Sequence, residues 1–203
     1  ARLPELVQVA QEFHAFVIVD DAHGVGVLGK DGRGTADHFG MTNEVDVICG
    51  SFSKSFSGTG GFVCSNREGI DYMRSHSKQT IFSAALSPAA TAGAHAALKI
   101  FRSEPEYRER LNKNLTRYLD LLKELGLDTW ESESPAVPIV LGKKEKVYYF
   151  WKALLEKGVY AIISIAPGVP PGKDLIRTAI SAAHTDEDLD IIDDAIRYAA
   201  SKI

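Results

Sequence analysis

Three side chains in the first third of the chain could do chemistry together: Asp20 and His23 of VDDAH, and Lys54 of SFSKSFS. Asp20 follows the apolar run Phe16 to Val19, and a carboxylate at the end of a buried strand is costly unless a cation or hydrogen-bond donors meet it. Lys54 stands just beyond a second apolar run, Val45 to Gly50, in a loop whose Ser51, Ser53 and Ser55 can surround an anion with hydroxyl and amide donors. Taken singly, each has a plain reading: a strand-end acid bonded to backbone, a loop histidine, a surface lysine. Taken together, an amine in a phosphate-friendly loop, one strand from an acid, is the pair that pyridoxal phosphate chemistry needs. The amine forms an imine with the cofactor aldehyde, and the acid keeps the pyridine nitrogen protonated so that the ring accepts electrons from a carbanion.

A second motif competes for attention. Gly24 to Gly29 reads GVGVLG, which matches the G-x-G-x-x-G fingerprint of dinucleotide-binding turns. That fingerprint requires its first glycine directly after the strand and its third inside a helix, where the helix N-terminus meets the pyrophosphate. Here Asp21, Ala22 and His23 intervene, and the KDGRG that follows is turn chemistry. A glycine-rich surface loop is the better reading, and a nucleotide-dependent oxidoreductase the weaker one.

The elements that must position these residues follow from periodicity. Phe16–Val19, Val45–Gly50 and Gly61–Ser65 read as strands of an α/β sheet with loops at their carboxyl ends, where open α/β sheets bind ligands. The run ARLPELVQVAQEF, with Pro4 near its start and Leu6, Val9, Ala10 and Phe13 at helical spacing, predicts a helix that opens in the middle of an α/β unit. The chain is therefore expected to be a piece of a longer one. Further helices are predicted at about 68–75 and from Ser87-Pro88 to Phe101, followed by an amphipathic connector bearing Tyr107, Leu111, Leu115, Leu119 and Leu122, with Gly126 past its end. The domain boundary is placed near Ser103, giving units 1–102 and 103–203. The second unit reads as a small α+β domain: strands at Val137–Leu141, Tyr160–Ile163 and Leu175–Ser181, a helix at Lys146–Lys157, and a last helix with Thr185 and Asp188 in capping-box spacing.

Composition narrows the function class. A net charge of -4 with scattered basic residues offers no attraction for nucleic acid or an anionic membrane, and no run of apolar residues is long enough to span one. Cys49 and Cys64 each lie in an apolar segment and read as buried, reduced thiols of a cytoplasmic protein; no metal-ligand spacing occurs.

The stretches VDDAHGVGVLGKDGRGT, SFSKSFSGTGG and IFSAALSPA together resemble the α-oxoamine synthases, a family of fold-type I pyridoxal phosphate enzymes with the aspartate aminotransferase-like fold. The resemblance covers nearly the whole chain and is densest from Val19 to Ala90. It implies the C-terminal part of the cofactor-binding large domain followed by the small domain. It also implies a reaction: condensation of an amino acid with an acyl-CoA, with loss of carbon dioxide, to give an aminoketone. By motif position, Asp20 pairs with the pyridine nitrogen, His23 contacts the phenolic oxygen, Lys54 carries the cofactor and moves the substrate proton, and Ser51 and Ser53 hold the phosphate. Many relatives have threonine at the position of Ser51, which keeps the hydroxyl. Ser83 and Ala84 match a segment that reaches the phosphate of a partner subunit, implying a homodimer with shared active sites, and Arg177 matches the arginine that grips the substrate carboxylate.

The wording of these motifs is nearest the serine palmitoyltransferase-type branch, with 8-amino-7-oxononanoate synthase and 2-amino-3-ketobutyrate CoA ligase as alternatives. Where some relatives have a basic residue before the prolines of APGVPPG, this chain has Ala166. In the family the glycine-rich phosphate turn and the aromatic residue stacked on the cofactor precede the matched region. The chain by itself is accordingly expected to bind cofactor weakly and not to turn over. A non-catalytic partner subunit of the same fold is disfavoured because Asp20, His23 and Lys54 are retained together.

Overall fold

Pro4 falls in the first turn of helix α1 (Leu3–Glu12), where its missing N–H has no helical partner to lose. In the computed structural model, which describes residues 1–203, this helix opens the first of two compact units, Ala1–Pro105 and Glu106–Ile203. The first continues with β1 (Ile18–Asp20), a short α2 (Thr35–His38), β2 (Val47–Ser51), β3 (Gly61–Cys64), α3 (Arg67–His76), α4 (Lys78–Ile81) and α5 (Pro88–Ser103). Asn66, Ser77 and Ser87 cap α3, α4 and α5, each side chain accepting a backbone N–H of the first turn.

The first unit's three-stranded sheet runs β1-β2-β3. β1 and β2 are parallel, with Asp20 opposite Cys49, so the loops that follow them leave at the same edge. β3 is antiparallel to β2, pairing Ser51 with Gly61. This corrects the expectation of three strands all ending at the ligand edge: β3 begins there, and Ser65 lies at the opposite edge. Periodicity carries no information on strand direction, and a tight return after Lys54 makes the antiparallel pairing available.

Burial in this unit is slight. Its core is Leu3, Val7 and Ala36, flanked by half-buried Val17, Val19, Met41, Val45 and Ile48. α1, the helix that this spacing predicts, turns Leu3 and Val7 inward and leaves Leu6, Val9 and Phe13 exposed. Nor is β1 covered on both faces, since Ile18 is 66% exposed and the preceding Phe16 is 83% exposed. Both cysteines are free, but neither is buried as expected: Cys49 is half-buried, and Cys64 is exposed because β3 has an open face.

The second unit comprises α6 (Glu106–Glu124), β4 (Ala136–Gly142), α7 (Lys144–Glu156), β5 (Ile162–Ser164), β6 (Asp174–Ala179) and α8 (Asp186–Ala200). Its sheet, ordered β4-β6-β5, is antiparallel throughout. Phe150, Leu122, Ile139, Leu154, Ile176 and Ile196 fill a continuous core. Buried polar groups are paired: Asn114 donates to the carbonyls of Ser181 and His184 at 3.0 Å, and the Tyr118 hydroxyl donates to Thr178 Oγ1 at 2.9 Å. Burial pushes the Tyr118 phenol well above its ordinary value. Thr185 and Asp188 form the capping box of α8, and the hydrogen bonds from Thr185 hold the Asp188 carboxyl below the usual range. No helix is long and apolar enough to cross a membrane.

Candidate active site

The chemistry-bearing residues of the first unit gather at one edge because β1 and β2 run in parallel. β1 ends at Asp20, which is exposed there and accepts the Ala22 N–H at 3.2 Å. β2 ends at Ser51, and the chain then doubles back to β3 through the loop carrying Lys54. Phe52 and Gly60 clasp the base of that loop, the Phe52 N–H donating to the Gly60 carbonyl at 2.9 Å and the Gly58 N–H to the Phe52 carbonyl at 2.7 Å. Lys54 is exposed at its tip, and its carbonyl accepts the Ser57 N–H at 3.0 Å.

Ser51 and Ser53 are brought together. Their hydroxyls lie 2.7 Å apart, and the Ser53 N–H donates to Ser51 Oγ at 3.1 Å. Two hydroxyls side by side, one residue before an exposed ammonium group, form a donor set suited to a phosphate-bearing group. Ser55 does not join them: its hydroxyl donates to the Val25 carbonyl at 2.7 Å.

The acid pair is sorted differently from the sequence expectation. The buried carboxylate is Asp21, 3% exposed, while Asp20 is open to solvent. Asp21 lies just past the strand, and its N–H still donates to the Cys49 carbonyl at 2.8 Å. Its carboxylate accepts Thr35 N–H at 2.7 Å and Thr35 Oγ1–H at 2.5 Å. The desolvation cost anticipated for Asp20 thus falls on Asp21, where two donors offset it. His23 is exposed within a turn whose two closing bonds, from the N–H groups of Gly24 and Val25, both end on the Asp21 carbonyl.

Sequence reasoning missed the ring packing beneath the lysine. Phe52 and Phe56 flank Lys54 at equal spacing, their ring centroids 5.4 Å apart, and pack on Phe62 and Phe101 at 5.6 and 5.0 Å. Their spacing, Phe-x-Lys-x-Phe, was the available signal. Ser83 and Ala84 lie in the exposed irregular segment between α4 and α5, and Leu86 of that segment packs on Gly60 at the base of the lysine loop. Arg177 belongs to the second unit. It is exposed on β6, the central strand, opposite Pro138 and Ile162.

A family model described as aminotransferase class I and II matches residues 1–196. The chain belongs to that family. Among curated relatives of this aminotransferase class I and II chain, the serine palmitoyltransferase of Sphingobacterium spiritivorum is 43% identical over 194 residues, covering 96% of this chain and 48% of that protein. The 8-amino-7-oxononanoate synthase of Thermosipho melanesiensis is 45% identical over 190 residues, covering 94% and 49%. The chain spans about half the length of the curated relatives it matches.

Solved structures agree on the fold. A serine palmitoyltransferase with its pyridoxal phosphate internal aldimine superposes with a TM-score of 0.90 at 33% identity, over 100% of this chain and 52% of that one. The Sphingomonas wittichii serine palmitoyltransferase does so with a TM-score of 0.90 at 31% identity, over 99% and 51%. The architecture is the α/β fold of these pyridoxal phosphate enzymes, as the sequence resemblance implied.

Proposed function

We propose that the protein containing this chain is a pyridoxal phosphate-dependent C-acyltransferase of the α-oxoamine synthase type. It would condense an amino acid with an acyl-CoA, with loss of carbon dioxide, to give an aminoketone. The observation that carries this reading is the pairing of hydroxyls beside an exposed lysine, Ser51, Ser53 and Lys54, at the sheet edge where Asp20 also ends a parallel strand.

The donor set fits the cofactor: two clustered hydroxyls for its phosphate, an amine for its aldehyde, a carboxylate for its pyridine nitrogen and an imidazole, His23, for its phenolic oxygen. When bound, pyridoxal phosphate supplies an electron sink for a carbanion at the amino acid α-carbon. The protein's part is binding, orientation and proton movement. Asp20 would accept a hydrogen bond from the ring N–H and keep that proton in place. Lys54 Nζ is the amine that would hold the cofactor aldehyde, and the same amine would serve as the base that takes a proton from the amino acid α-carbon and returns it. Arg177 presents the planar fork suited to a bidentate grip on the substrate carboxylate. Ser83 and Ala84 serve the phosphate of a second copy in a cytoplasmic homodimer.

Within the type, serine palmitoyltransferase-like activity is favoured by the motif wording. The 45% identity to a protein named 8-amino-7-oxononanoate synthase supports that activity as the alternative, and a product with a methyl beside its amino-bearing carbon would be built from alanine. A CoA-release assay on the full-length protein, with serine, alanine and glycine against acyl-CoAs of several lengths, tests both. Serine-dependent release with a long-chain acyl-CoA is expected; alanine-dependent release with a carboxyl-terminated acyl-CoA selects the alternative, and no release with any pair overturns the reading.

A further inference from the structure

Gly24 and Gly26 of GVGVLG are each required by a polar side chain that enters the loop. A methyl carbon at Gly24 would lie 2.0 Å from Asp21 Oδ1, and one at Gly26 would lie 2.6 Å from Ser55 Oγ and 2.5 Å from the Phe101 ring. Gly34, at the far end of the loop, is closed in the same way, 2.0 Å from Asp21 Oδ2. Gly24, Gly26 and Gly34 therefore make room for the side chains of two hydrogen-bonded ties. One tie is Asp21 to Thr35, which draws the two ends of the loop together. The other is Ser55 to the Val25 carbonyl, which joins the residue after Lys54 to the second residue after His23.

We propose that Asp21 and Ser55 are positioning residues whose ties make the glycine-rich loop a brace between the His23 turn and the Lys54 loop. Asp21 closes the His23 turn with its carbonyl, holds the strand end through its N–H on Cys49, and anchors the loop's return through its carboxylate on Thr35. Ser55 transmits that fixed frame to the lysine loop, with Phe101 packed on Phe56 closing the other side. Removing either tie releases His23 relative to Lys54 while leaving both side chains in the protein. This inference rests on the cofactor reading above, because it assigns the brace the task of setting the protonation of the lysine-bound cofactor.

The test uses the full-length protein loaded with pyridoxal phosphate, comparing Ser55→Ala, which removes one tie, and Thr35→Val, which removes the hydroxyl bond of the other and keeps its backbone N–H bond, with the conservative Thr35→Ser. The pH midpoint of the cofactor's visible absorption band is expected to shift by about 0.5 unit or more in Ser55→Ala and Thr35→Val and by less than about 0.2 in Thr35→Ser. Turnover is expected to fall about tenfold in the first two, with KM for the amino acid held within about twofold. Unchanged midpoint and turnover in Ser55→Ala would overturn the proposal. Amide exchange without added cofactor gives an independent reading: at residues 23–28 it is expected to quicken at least about tenfold in Ser55→Ala, and unchanged protection counts against the brace. A wild-type protein that shows no visible band would sink the cofactor reading instead, and the exchange comparison would still decide whether the loop is braced.

Discussion

The two units of this chain differ in what holds them. The second buries a continuous cluster running from Leu115 on α6 through Val137, Ile139, Phe150 and Ile176 to Ala199 on α8. The first has a small cluster of Leu3, Val7 and Ala36, with Ala94 buried apart on α5, and leaves Phe13, Phe16, Ile18 and Phe82 exposed. Yet the first unit carries Asp20, His23, Ser51, Ser53 and Lys54, on turns and loops closed by short polar ties. Hydrophobic burial is non-directional and stabilises a scaffold, whereas hydrogen bonds fix angles and distances. In this chain, which spans about half the length of its relatives, the continuous buried cluster lies in the second unit and the polar ties described above lie in the first.

The division is sharpened first at the lysine. Lys54→Ala in the full-length protein is expected to cost at least about a thousandfold in turnover while shifting the thermal midpoint by no more than about 2 °C. A large loss of stability would mean that the exposed lysine also holds the unit together. Next, Phe150→Ala, at a side chain 0% exposed, is expected to cost about 3–5 kcal/mol in urea denaturation. The same truncation of Phe16 in this chain is expected to stay within about 0.5 kcal/mol. Similar losses at the two positions would erase the contrast.

A smaller effect is expected at Tyr118, where removing the hydroxyl strips Thr178 of a buried partner. Tyr118→Phe should cost about 1 kcal/mol near neutral pH. Because the folded phenol is raised above its unfolded value of about 10, its neutral form stabilises the fold below that pH, and the benefit is lost as pH climbs beyond it. Alkaline denaturation of the Phe variant should lack that component, and identical alkaline curves would contradict the assignment. The smallest effect is expected at the α8 capping box. The folded Asp188 carboxyl is held below its usual value, so its contribution is present above about pH 4 and fades as pH falls through the lower folded value. The stability gap between wild type and Asp188→Asn should therefore close in acid; a gap that persists there would assign the effect to shape rather than charge.

Much of this was legible in the sequence. Local chemistry marks its own place: Ser87 before Pro88, and Thr185 with Asp188, announced helix starts that the structure contains. The serine-flanked lysine and the acid at a strand end were readable as a chemical set for the same reason. What could not be read depends on partners distant in sequence. The direction of β3 follows from the turn after Lys54 and not from the pattern of Gly61–Cys64. The inward face of α1 depends on the residues it packs against, which leave Leu6 and Val9 outside. Two adjacent aspartates look alike until Thr35, fourteen positions later in the chain, takes one of them. The glycines of GVGVLG gave the strongest false signal, since a loop opened for Asp21 and Ser55 spells the same letters as a loop opened for a pyrophosphate.

Borohydride reduction of the full-length protein incubated with pyridoxal phosphate tests most directly whether Lys54 carries the cofactor. Peptide mapping by mass spectrometry is expected to find one stable pyridoxyl adduct, on Lys54, absent from Lys54→Ala. An adduct on another lysine, or none, would contradict the account.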